Sequence, residues 1–333
     1  MQEVDALIIG GGPAGSTCAW KLRQAGVNVL VLDLASFPRT KLCAGWITPE
    51  VVDDLEFDID AYPHSFMSFD KLHFHFKHFN FAKKTTQHSI RRFEFDNFLL
   101  KRSGAPVDEH KVRKIEKQNG SYVVDDLYRC KYLVGAGGTR CPVYREFFHD
   151  INPRAKLLQI ATYEKEFQYG WDNEECHLWF FRDGLPGYAW YVPKANGYIN
   201  VGLGGKADKL KAGDSRLKDY WKSFTENLAC EGLVHDAEYE PTGYSYYLRG
   251  SVDVVRNDNA FIVGDAVGLA SVDMGEGIGP AVHSAILAAD AIVTNSEYNL
   301  KRLARFSVPG FFRNRGEQAR LSAIGDREPV SLP

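Results

Sequence analysis

The sequence lacks the features that mark membrane-spanning, disulfide-linked and zinc-binding proteins. No apolar run reaches the roughly 18 residues that a membrane span needs. The six cysteines stand apart, without CxxC pairs, so we expect neither a zinc site nor a disulfide framework, and a reduced cytosolic setting fits best. No secretory leader precedes the first apolar run at Val4, so we expect a cytoplasmic protein.

Charge of one sign is also scarce. The net charge of −3 gives no electrostatic case for a nucleic-acid partner. In other respects the composition is that of a globular protein, with 44% hydrophobic and 25% charged residues. Its length of 333 residues predicts about two domains.

The stretch from Val4 to Asp33 predicts a dinucleotide-binding βαβ unit. It begins with an apolar run that is typical of a buried parallel strand. The glycines that follow have the spacing GxGxxG, which lets the chain turn, approach a pyrophosphate and pack a helix closely on the sheet. That helix, predicted from Pro13 to Ala25, directs its N-terminal amides at the phosphates. The residues expected to bind the dinucleotide here are Gly10, Gly12, Pro13, Ala14 and Gly15.

Asp33 ends the unit, directly after a second predicted strand from Val27 to Leu32. It lies about 20 residues beyond the glycines, where a carboxylate accepts hydrogen bonds from a ribose hydroxyl. An α/β turn whose glycines serve packing alone is the other interpretation. The order of strand, glycines, helix, strand and acid favours the dinucleotide site.

A second part of the chain has the pattern of antiparallel strands. Apolar and polar residues alternate in 71–81, which predicts a half-buried strand. Its histidines lack carboxylate partners at a suitable spacing, so no metal site is expected. Aromatic residues and Gly/Pro turns in 151–249 predict a mostly antiparallel domain with one helix near 215–230. A buried strand, 260–264, and a long helix, 279–292, then return to the first domain.

We therefore predict an α/β fold in which a discontinuous Rossmann-type domain is joined to a second, mostly antiparallel β-sheet substrate domain. The first domain is expected to comprise 1–60, 85–150 and 250–298, the second 61–84 and 151–249, and a basic C-terminal segment 299–333.

Three further local structures are predicted. Thr48 is expected to cap a short helix from Pro49 to Leu55. Helical periodicity marks 89–103. Strands at 112–115 and 122–124 are expected to form a hairpin, because the turn between them contains Asn119-Gly120.

Five blocks carry a resemblance that extends from Leu7 to about Ile292. They are GGGPAG at 10–15, KLCAGW at 41–46, RFEFD at 92–96, PGYAWYVP at 186–193 and VGDAVGLASVDMGEGIGPAVHSA at 263–285. Together they resemble the FAD-dependent oxidoreductases with the fold of para-hydroxybenzoate hydroxylase. Within that group they are most similar to the geranylgeranyl reductase family.

The resemblance implies that the dinucleotide is FAD and that the Rossmann-type domain is an FAD-binding domain. Lys41, Cys43 and Ala44 are then expected beside the flavin, and Arg92 is expected to reach the cofactor. Asp265 would accept hydrogen bonds from ribityl hydroxyls, while backbone amides at a helix start would stabilise negative charge on a reduced flavin. The remaining residues expected to bind FAD are Val112, Gly264, Gly275, Gly277 and Ile278.

The sequence departs from the family pattern at four places. Ala44 replaces a glycine, Val192 a phenylalanine and Val272 a proline. Residues 135–138 read GAGG where most relatives have GADG, so an aspartate near the flavin is missing.

The resemblance also implies a reaction, namely hydride transfer from reduced flavin to a carbon-carbon double bond, followed by protonation. Cys43 is a candidate proton donor, although it is equally explained as a small residue packed in a tight loop. Trp46, Tyr188 and Trp190 are expected to form an aromatic wall for an apolar substrate, or else to belong to the core of the second domain. The electron donor stays open between NAD(P)H and ferredoxin or another redox protein.

Two other functions remain open. The first is a flavin monooxygenase or halogenase of the same fold, since 186–193 also resembles the halogenase W-x-W-x-I-P motif, and Lys41 is its candidate lysine. The second is a non-catalytic flavin-binding redox sensor, which the missing aspartate of the GAGG segment favours.

The basic C-terminal segment suggests where an apolar substrate is met. Between Lys301 and Arg320, basic residues alternate with Phe306, Phe311 and Phe312, which suits an anionic membrane surface. Peripheral membrane contact through 300–320 is therefore one hypothesis. A tail that is solvated or packed on the flavin domain is the other.

Overall fold

The computed structural model describes residues 1–213, 215–301 and 303–307. Its strands are β1 Gln2–Ile9, β2 Val29–Asp33, β3 Trp46–Ile47, β4 Phe66–His75, β5 Asn80–Ile90, β6 Val107–Glu109, β7 Ile115–Gln118, β8 Ser121–Val124, β9 Tyr128–Gly135, β10 Gln159–Gln168, β11 Cys176–Phe180, β12 Gly187–Lys194, β13 Tyr198–Lys206, β14 Thr242–Tyr247, β15 Arg256–Asn257 and β16 Ala260–Ile262. Its α-helices are α1 Pro13–Gln24, α2 Pro49–Asp54, α3 Arg92–Arg102, α4 Pro142–Phe147, α5 Ala207–Ala212, α6 Leu217–Cys230 and α7 Ile278–Thr294.

The first sheet is mainly parallel and has the order β15-β16-β9-β1-β2-β6, with β8 and then β7 joined to β9. β1 pairs in parallel with both β2 and β9, and every residue of β2 is buried. Two elements from late in the chain complete this unit: β16 pairs in parallel with β9, and α7 packs against α1. The Rossmann-type unit is therefore discontinuous in sequence, as predicted.

The second sheet has the order β14-β10-β13-β12-β11-β4-β5-β3. All its pairs are antiparallel except β11 with β4, which confirms the mostly antiparallel second sheet. Helix α6 covers one face, where Trp221, Phe224 and Leu228 pack against Tyr191 and Val201. The opposite face contributes to the site described below.

A third group of apolar side chains joins the two sheets. It combines Ile47 and Ile90 of the second sheet with Phe95 of α3 and with Ile278 and Val282 of α7. β3 and the end of β5 fall in the ranges 1–60 and 85–150 that were predicted for the FAD-binding domain, yet they lie in the second sheet.

Local details differ from the sequence predictions. The first hairpin strand begins at Ile115 instead of Val112, and α3 begins at Arg92 because Ser89 and Ile90 continue β5. Thr48 stands at the N-cap of α2 but makes no side-chain capping bond. The alternating stretch 71–81 is divided between two strands, since the chain turns between His75 and Asn80.

No helix within the described ranges combines the length and the apolar character that crossing a bilayer requires. The predicted contact segment 300–320 lies mostly outside the described residues, as does the rest of the basic segment beyond Ser307.

Candidate active site

The glycine turn after β1 is shaped by close backbone contacts. Gly10 has φ +111°, and a Cβ atom on Gly15 would lie 1.8 Å from the Gly10 carbonyl oxygen. Gly12 is the N-cap of α1, and its own lack of a side chain leaves the first amides of the helix without a capping bond. Free amides at a helix N-terminus are suited to bind phosphate.

Asp33 holds this turn in place. Its Oδ2 accepts a hydrogen bond from Gly11 N at 2.7 Å, and its Oδ1 accepts one from Ala35 N at 3.1 Å. Arg39, which the sequence analysis did not select, lies 3.8 Å from Asp33 and 3.5 Å from Asp96. Its guanidinium is also 3.4 Å from the position of a Cβ on Gly12, so a cation stands beside the phosphate end of the turn.

Arg92 connects helix α3 to the Cys43 loop. Its guanidinium makes two bonds to Asp96, at 2.6 and 2.8 Å, and it also bonds the Cys43 side chain. Burial alone would lower the pKa of Arg92, but Asp96 and Cys43 raise it above its ordinary value. Arg92 therefore carries a fixed positive charge next to the predicted flavin loop.

Hydrogen bonds from Lys194, a residue that sequence reasoning missed, hold the loop 41–46 in place. The Lys194 Nζ donates to the carbonyl oxygens of Ala44 at 2.7 Å and Ile90 at 2.6 Å. Gly45 has φ +69°, and a Cβ atom there would lie 2.3 Å from this Nζ. Because Lys194 is fully buried, its pKa is lowered. The signal in the sequence was only a lysine directly after Pro193 in an otherwise buried strand.

Asn200 joins three parts of the site. Its Nδ2 donates to Cys43 O at 3.3 Å and to Glu164 Oε2 at 3.4 Å, and its Oδ1 accepts from Trp190 Nε1 at 2.7 Å. Glu164 is 3% exposed, and burial raises its pKa to about 7. Burial also lowers the pKa of Lys41 to about 8, and the Lys41 Nζ lies 3.2 Å from the centroid of the Tyr244 ring.

Two glycines of β13 make room on the face of the second sheet. A Cβ atom on Gly202 would lie 2.2 Å from the Trp190 ring, and one on Gly204 would lie 2.8 Å from Thr162. The neighbouring Tyr188 donates a hydrogen bond to Met274 O. Trp46 and Trp190 are buried in one apolar cluster with Leu178, so both are part of the core at this face.

The late glycine-rich segment meets the first turn. Gly264, with φ +59°, lies between α1 and α7, and a Cβ atom there would be 3.3 Å from Ala14 Cβ. A Cβ atom on Gly277 would be 3.3 Å from Asp265 Oδ1. The site residues of the opening and closing parts of the chain are thus brought together.

The amides at the start of α7 are less free than the sequence suggested. Gly275 N donates to Ser271 O at 3.0 Å, and the Glu276 carboxylate accepts from Gly279 N at 2.7 Å and from the Ile278 amide. Burial raises the pKa of Glu276 to about 7. Glu276 therefore occupies part of the helix N-terminus that was expected to face a flavin.

Other residues hold the GAGG segment in place although the family aspartate is missing. Arg154 donates to the carbonyl oxygens of Thr139 and Ala266, both at 2.6 Å, and so ties this segment to the turn that carries Asp265. The Tyr244 hydroxyl also bonds Thr139.

Two of the residues predicted to bind FAD lie at the margin of the site. Val112 is in the loop between β6 and β7 on the first core, and Ala44 packs on the aromatic cluster of the second sheet.

The arrangement fits an FAD. Tyr188, Tyr246 and Glu276 lie where the second sheet meets the glycine-rich segment, and each remains partly exposed. A Cβ atom on Gly275 would come within 2.3 Å of the Tyr246 hydroxyl, so this glycine lets the two parts meet. The polar and aromatic groups at this junction are compatible with an isoalloxazine, and the uncapped start of α1 is compatible with a pyrophosphate. No group of three or more metal-ligating side chains is found among the described residues.

Comparisons with known proteins concern the family and the fold of the chain. The family model for a geranylgeranyl reductase catalytic domain matches residues 158–246, and that for an NAD(P)-binding Rossmann-like domain matches 8–80. An uncharacterized protein of Methanosarcina barkeri is 32% identical over 316 residues, which cover 88% of this chain and 75% of that protein. The menaquinone reductase of Mycobacterium tuberculosis is 25% identical over 87% of this chain and 77% of its own length. Digeranylgeranylglycerophospholipid reductase 3 of Methanosphaera stadtmanae is 27% identical, with 92% and 82% covered.

Solved structures share the fold. A geranylgeranyl bacteriochlorophyll reductase-like protein from Thermoplasma acidophilum superposes with a TM-score of 0.75 at 19% identity, covering 88% of this chain and 79% of that one. The flavin-dependent halogenase CmlS gives 0.69 at 21% identity, covering 88% of this chain and 58% of its own. The motifs, the two sheets and the relatives therefore agree that the chain belongs to the geranylgeranyl reductase family of FAD-dependent oxidoreductases.

Proposed function

We propose that this enzyme reduces carbon-carbon double bonds in the isoprenoid chain of a lipid. The observation that carries the proposal is the face of the second sheet beside the Cys43 loop. Here Tyr188, which is partly exposed, packs on the buried rings of Phe180 and Trp190, with Phe180 and Tyr188 stacked at 5.1 Å. An apolar chain would displace water from the exposed part of Tyr188, and the aromatic rings behind it hold that side chain in place.

The chain's own residues account for the cofactor in this proposal. Gly12 and the first turn of α1 would bind the pyrophosphate, with Arg39 adding positive charge, and Asp33 would accept from the ribose. Asp265 would accept from the ribityl hydroxyls, and the 41–46 loop, held by Lys194, would contact the ring. Bound FAD supplies a hydride from its reduced ring to the substrate carbon.

Proton supply falls to two groups in this proposal. The Cys43 thiol is the first of them, because its loop is held in place by bonds to Arg92, Lys194 and Asn200. Glu164 is the second candidate proton donor, because a buried carboxyl with a pKa of about 7 is protonated in a large fraction of molecules at neutral pH. Asn200, which bonds both Glu164 and the Cys43 carbonyl, fixes their separation.

The test is an anaerobic stopped-flow experiment on the flavin-loaded protein. The flavin is reduced, with NADPH, NADH and a reduced ferredoxin compared as donors, and is then mixed with a geranylgeranyl-bearing lipid. We expect rapid lipid-dependent reoxidation and a product that has gained two hydrogens per double bond. The fully saturated lipid is the matched control and should leave the flavin reduced.

Two results would contradict the proposal. Reoxidation that needs oxygen together with halide or an aromatic compound would assign the monooxygenase or halogenase alternative, for which Lys41 over Tyr244 is the relevant lysine. If neither an alkene nor oxygen with any second substrate reoxidises the flavin, the proposed reaction is also wrong. The geranylgeranyl reductase domain and the reductases among the relatives assign an enzyme, so the non-catalytic sensor is set aside.

A further inference from the structure

We propose that the turn between β4 and β5 docks on the surface of an anionic lipid bilayer. The docking surface consists of residues 76–81 and Phe181, and is called the aromatic tip below. The inference rests on the proposed function, since it names the place where an isoprenoid lipid leaves the bilayer and enters the enzyme.

The aromatic tip exposes large apolar side chains together. Phe79 is 59% exposed, Phe81 40% and Phe181 61%. Single exposed apolar residues are normal on a protein surface, but a group of them marks an interaction site. Their rings are not isolated, because Phe79 lies 6.1 Å from Phe81 and Phe181 lies 6.2 Å from Phe180.

Stacked rings connect the aromatic tip to the candidate active site. Phe76 stacks on Phe79 at 4.9 Å and on Phe180 at 5.1 Å, and Phe180 stacks on Tyr188 at 5.1 Å. Tyr188 then donates its hydrogen bond to Met274 O in the glycine-rich segment. The aromatic tip is therefore joined through one stack of rings to the face of the second sheet that carries Tyr188.

The charges at the tip favour an anionic surface over a neutral one. Lys77, His78 and Lys84 are exposed, and neither lysine makes an ion pair with any described residue. Over residues 70–84 the hairpin carries four lysines, Lys71, Lys77, Lys83 and Lys84, and one acid, Asp70. Of the neighbouring acids, Glu175 pairs with Lys71 and Glu231 pairs with Arg182, while Asp183 keeps its charge and accepts from Ser223. The excess of lysine on the hairpin would attract anionic headgroups while the phenylalanines enter the interface.

A cavity of about 810 Å³ lies against the tip and gives a lipid room to enter. Phe76, Phe180 and Phe181 line its apolar side, and Lys77, Arg182, Asp183 and Glu231 line its polar side. This mixed lining suits a molecule with a polar head and an apolar chain, which is what a bilayer supplies.

The test is vesicle sedimentation with the flavin-loaded, full-length protein. Vesicles of equal parts phosphatidylglycerol and phosphatidylcholine are compared with pure phosphatidylcholine. We expect binding to the anionic vesicles that weakens with salt. The triple variant F79S/F81S/F181S and the charge variant K77E/K84E should each lower the partition coefficient by at least about tenfold. Leu127→Ser, which removes an exposed apolar residue from the first sheet, is the matched control and should bind like the wild type.

Three outcomes would overturn the docking surface. Unchanged binding of the tip variants is the first, and binding lost only on removal of residues 300–333 is the second. The third is a wild-type protein that is dimeric in analytical ultracentrifugation while the triple variant is monomeric. The tip would then bind a second copy of the chain. Each variant must keep the flavin content and circular dichroism of the wild type, and Phe79→Tyr serves as a milder substitute if the triple variant does not.

Failure here can be told apart from failure of the proposed function. Alkene reduction in detergent without vesicle binding removes the docking surface alone. Vesicle binding without alkene-dependent flavin reoxidation removes the proposed reaction and leaves the docking surface.

Discussion

At the scale of single residues, two buried ionisable side chains distinguish the site from an ordinary core. Lys194 is fully buried, donates to two carbonyl oxygens and lies 3.7 Å from Glu166, whereas Glu164 is buried with a 3.4 Å bond from Asn200. Buried charges are costly unless they are paired, so a chain that keeps both has a reason beyond packing. In the proposed function the lysine is a positioning residue, and the glutamate is a proton reserve.

Glu164→Gln should change how stability depends on pH. The folded pKa of Glu164, about 7, is raised above the ordinary glutamate value of 4.5, so the folded state holds the proton more tightly and loses stability as the pH rises from 4.5 to 7. A shift of this size corresponds to about 3 kcal/mol. Relative to the wild type, the variant should gain up to that amount of unfolding free energy across this window, as measured by urea unfolding of the flavin-free protein at a series of pH values.

The matched control for this experiment is Glu166→Gln on the same strand, whose side chain pairs with Arg91 at 2.9 Å. It should lose stability at neutral pH relative to the wild type instead of gaining it. A difference between Glu164→Gln and wild type that stays constant from pH 4.5 to 8 would show that Glu164 titrates in the folded protein as it does in the unfolded chain.

Lys194→Met should loosen the flavin loop. The substitution keeps the length of the side chain but leaves the Ala44 and Ile90 carbonyl oxygens without their donor, at a cost of about 1–3 kcal/mol for each buried group. We expect a lower melting temperature and a weaker affinity for FAD, both measured by thermal unfolding at increasing FAD. Lys218→Met, on the exposed side of α6, is the control and should change neither.

At the scale of elements, strand β13 makes room for the aromatic residues of the site. Its glycines face β12, and Trp190 packs where a side chain of residue 202 would otherwise lie. The same strand supplies Asn200, so one element provides both the room for Trp190 and the hydrogen bonds beside it.

Gly202→Ala is therefore expected to reduce substrate binding more than flavin binding. The new methyl group would lie 2.2 Å from the Trp190 ring and must push the indole into the substrate surface, with an overpacking cost of about 1–3 kcal/mol. Stopped-flow titration with the isoprenoid lipid should show a weaker apparent affinity at unchanged FAD content. Gly170→Ala, where nothing lies within 4 Å of the added methyl group, is the control; equal effects of the two variants would contradict this explanation.

Elements made by local contacts were those that the sequence predicted best. The β1–α1–β2 unit and the Asn119-Gly120 turn depend on residues close together in the chain, and both were predicted, although the hairpin strand was placed too early, at Val112. The role of Glu164 was not predictable in this way, because it depends on β10 pairing with β13 and on Asn200, 36 residues away. Periodicity tells which side of a strand is buried, but not which strand will be its neighbour.

At the scale of the whole molecule, distant segments meet at one place. The glycine turn, the loop 41–46 and the segment around Asp265 converge from both ends of the chain, and the Ile47–Ile90–Ile278 group packs the two sheets together. A dinucleotide that touches all three segments would stabilise both sheets at once. The family resemblance anticipated this convergence, whereas the ties made by Arg39, Arg154 and Lys194 became visible only in the structure.

FAD should therefore stabilise the protein more than FMN does. At a concentration a hundredfold above its dissociation constant, a ligand that binds only the folded state adds about 2.7 kcal/mol to the unfolding free energy. FMN lacks the adenosine half, so it cannot use Asp33 at the end of β2 and should raise the melting temperature less at equal concentration. For Arg39→Met, each melting temperature is compared with that of the ligand-free variant. The substitution should reduce the increase caused by FAD more than the increase caused by FMN, because the lost guanidinium lies 3.4 Å from where a Cβ atom on Gly12 would be. Equal shifts with FAD and FMN in the wild type would mean that the opening glycine turn does not hold the cofactor, and the assignment of Gly10 to Gly15 would fail with it.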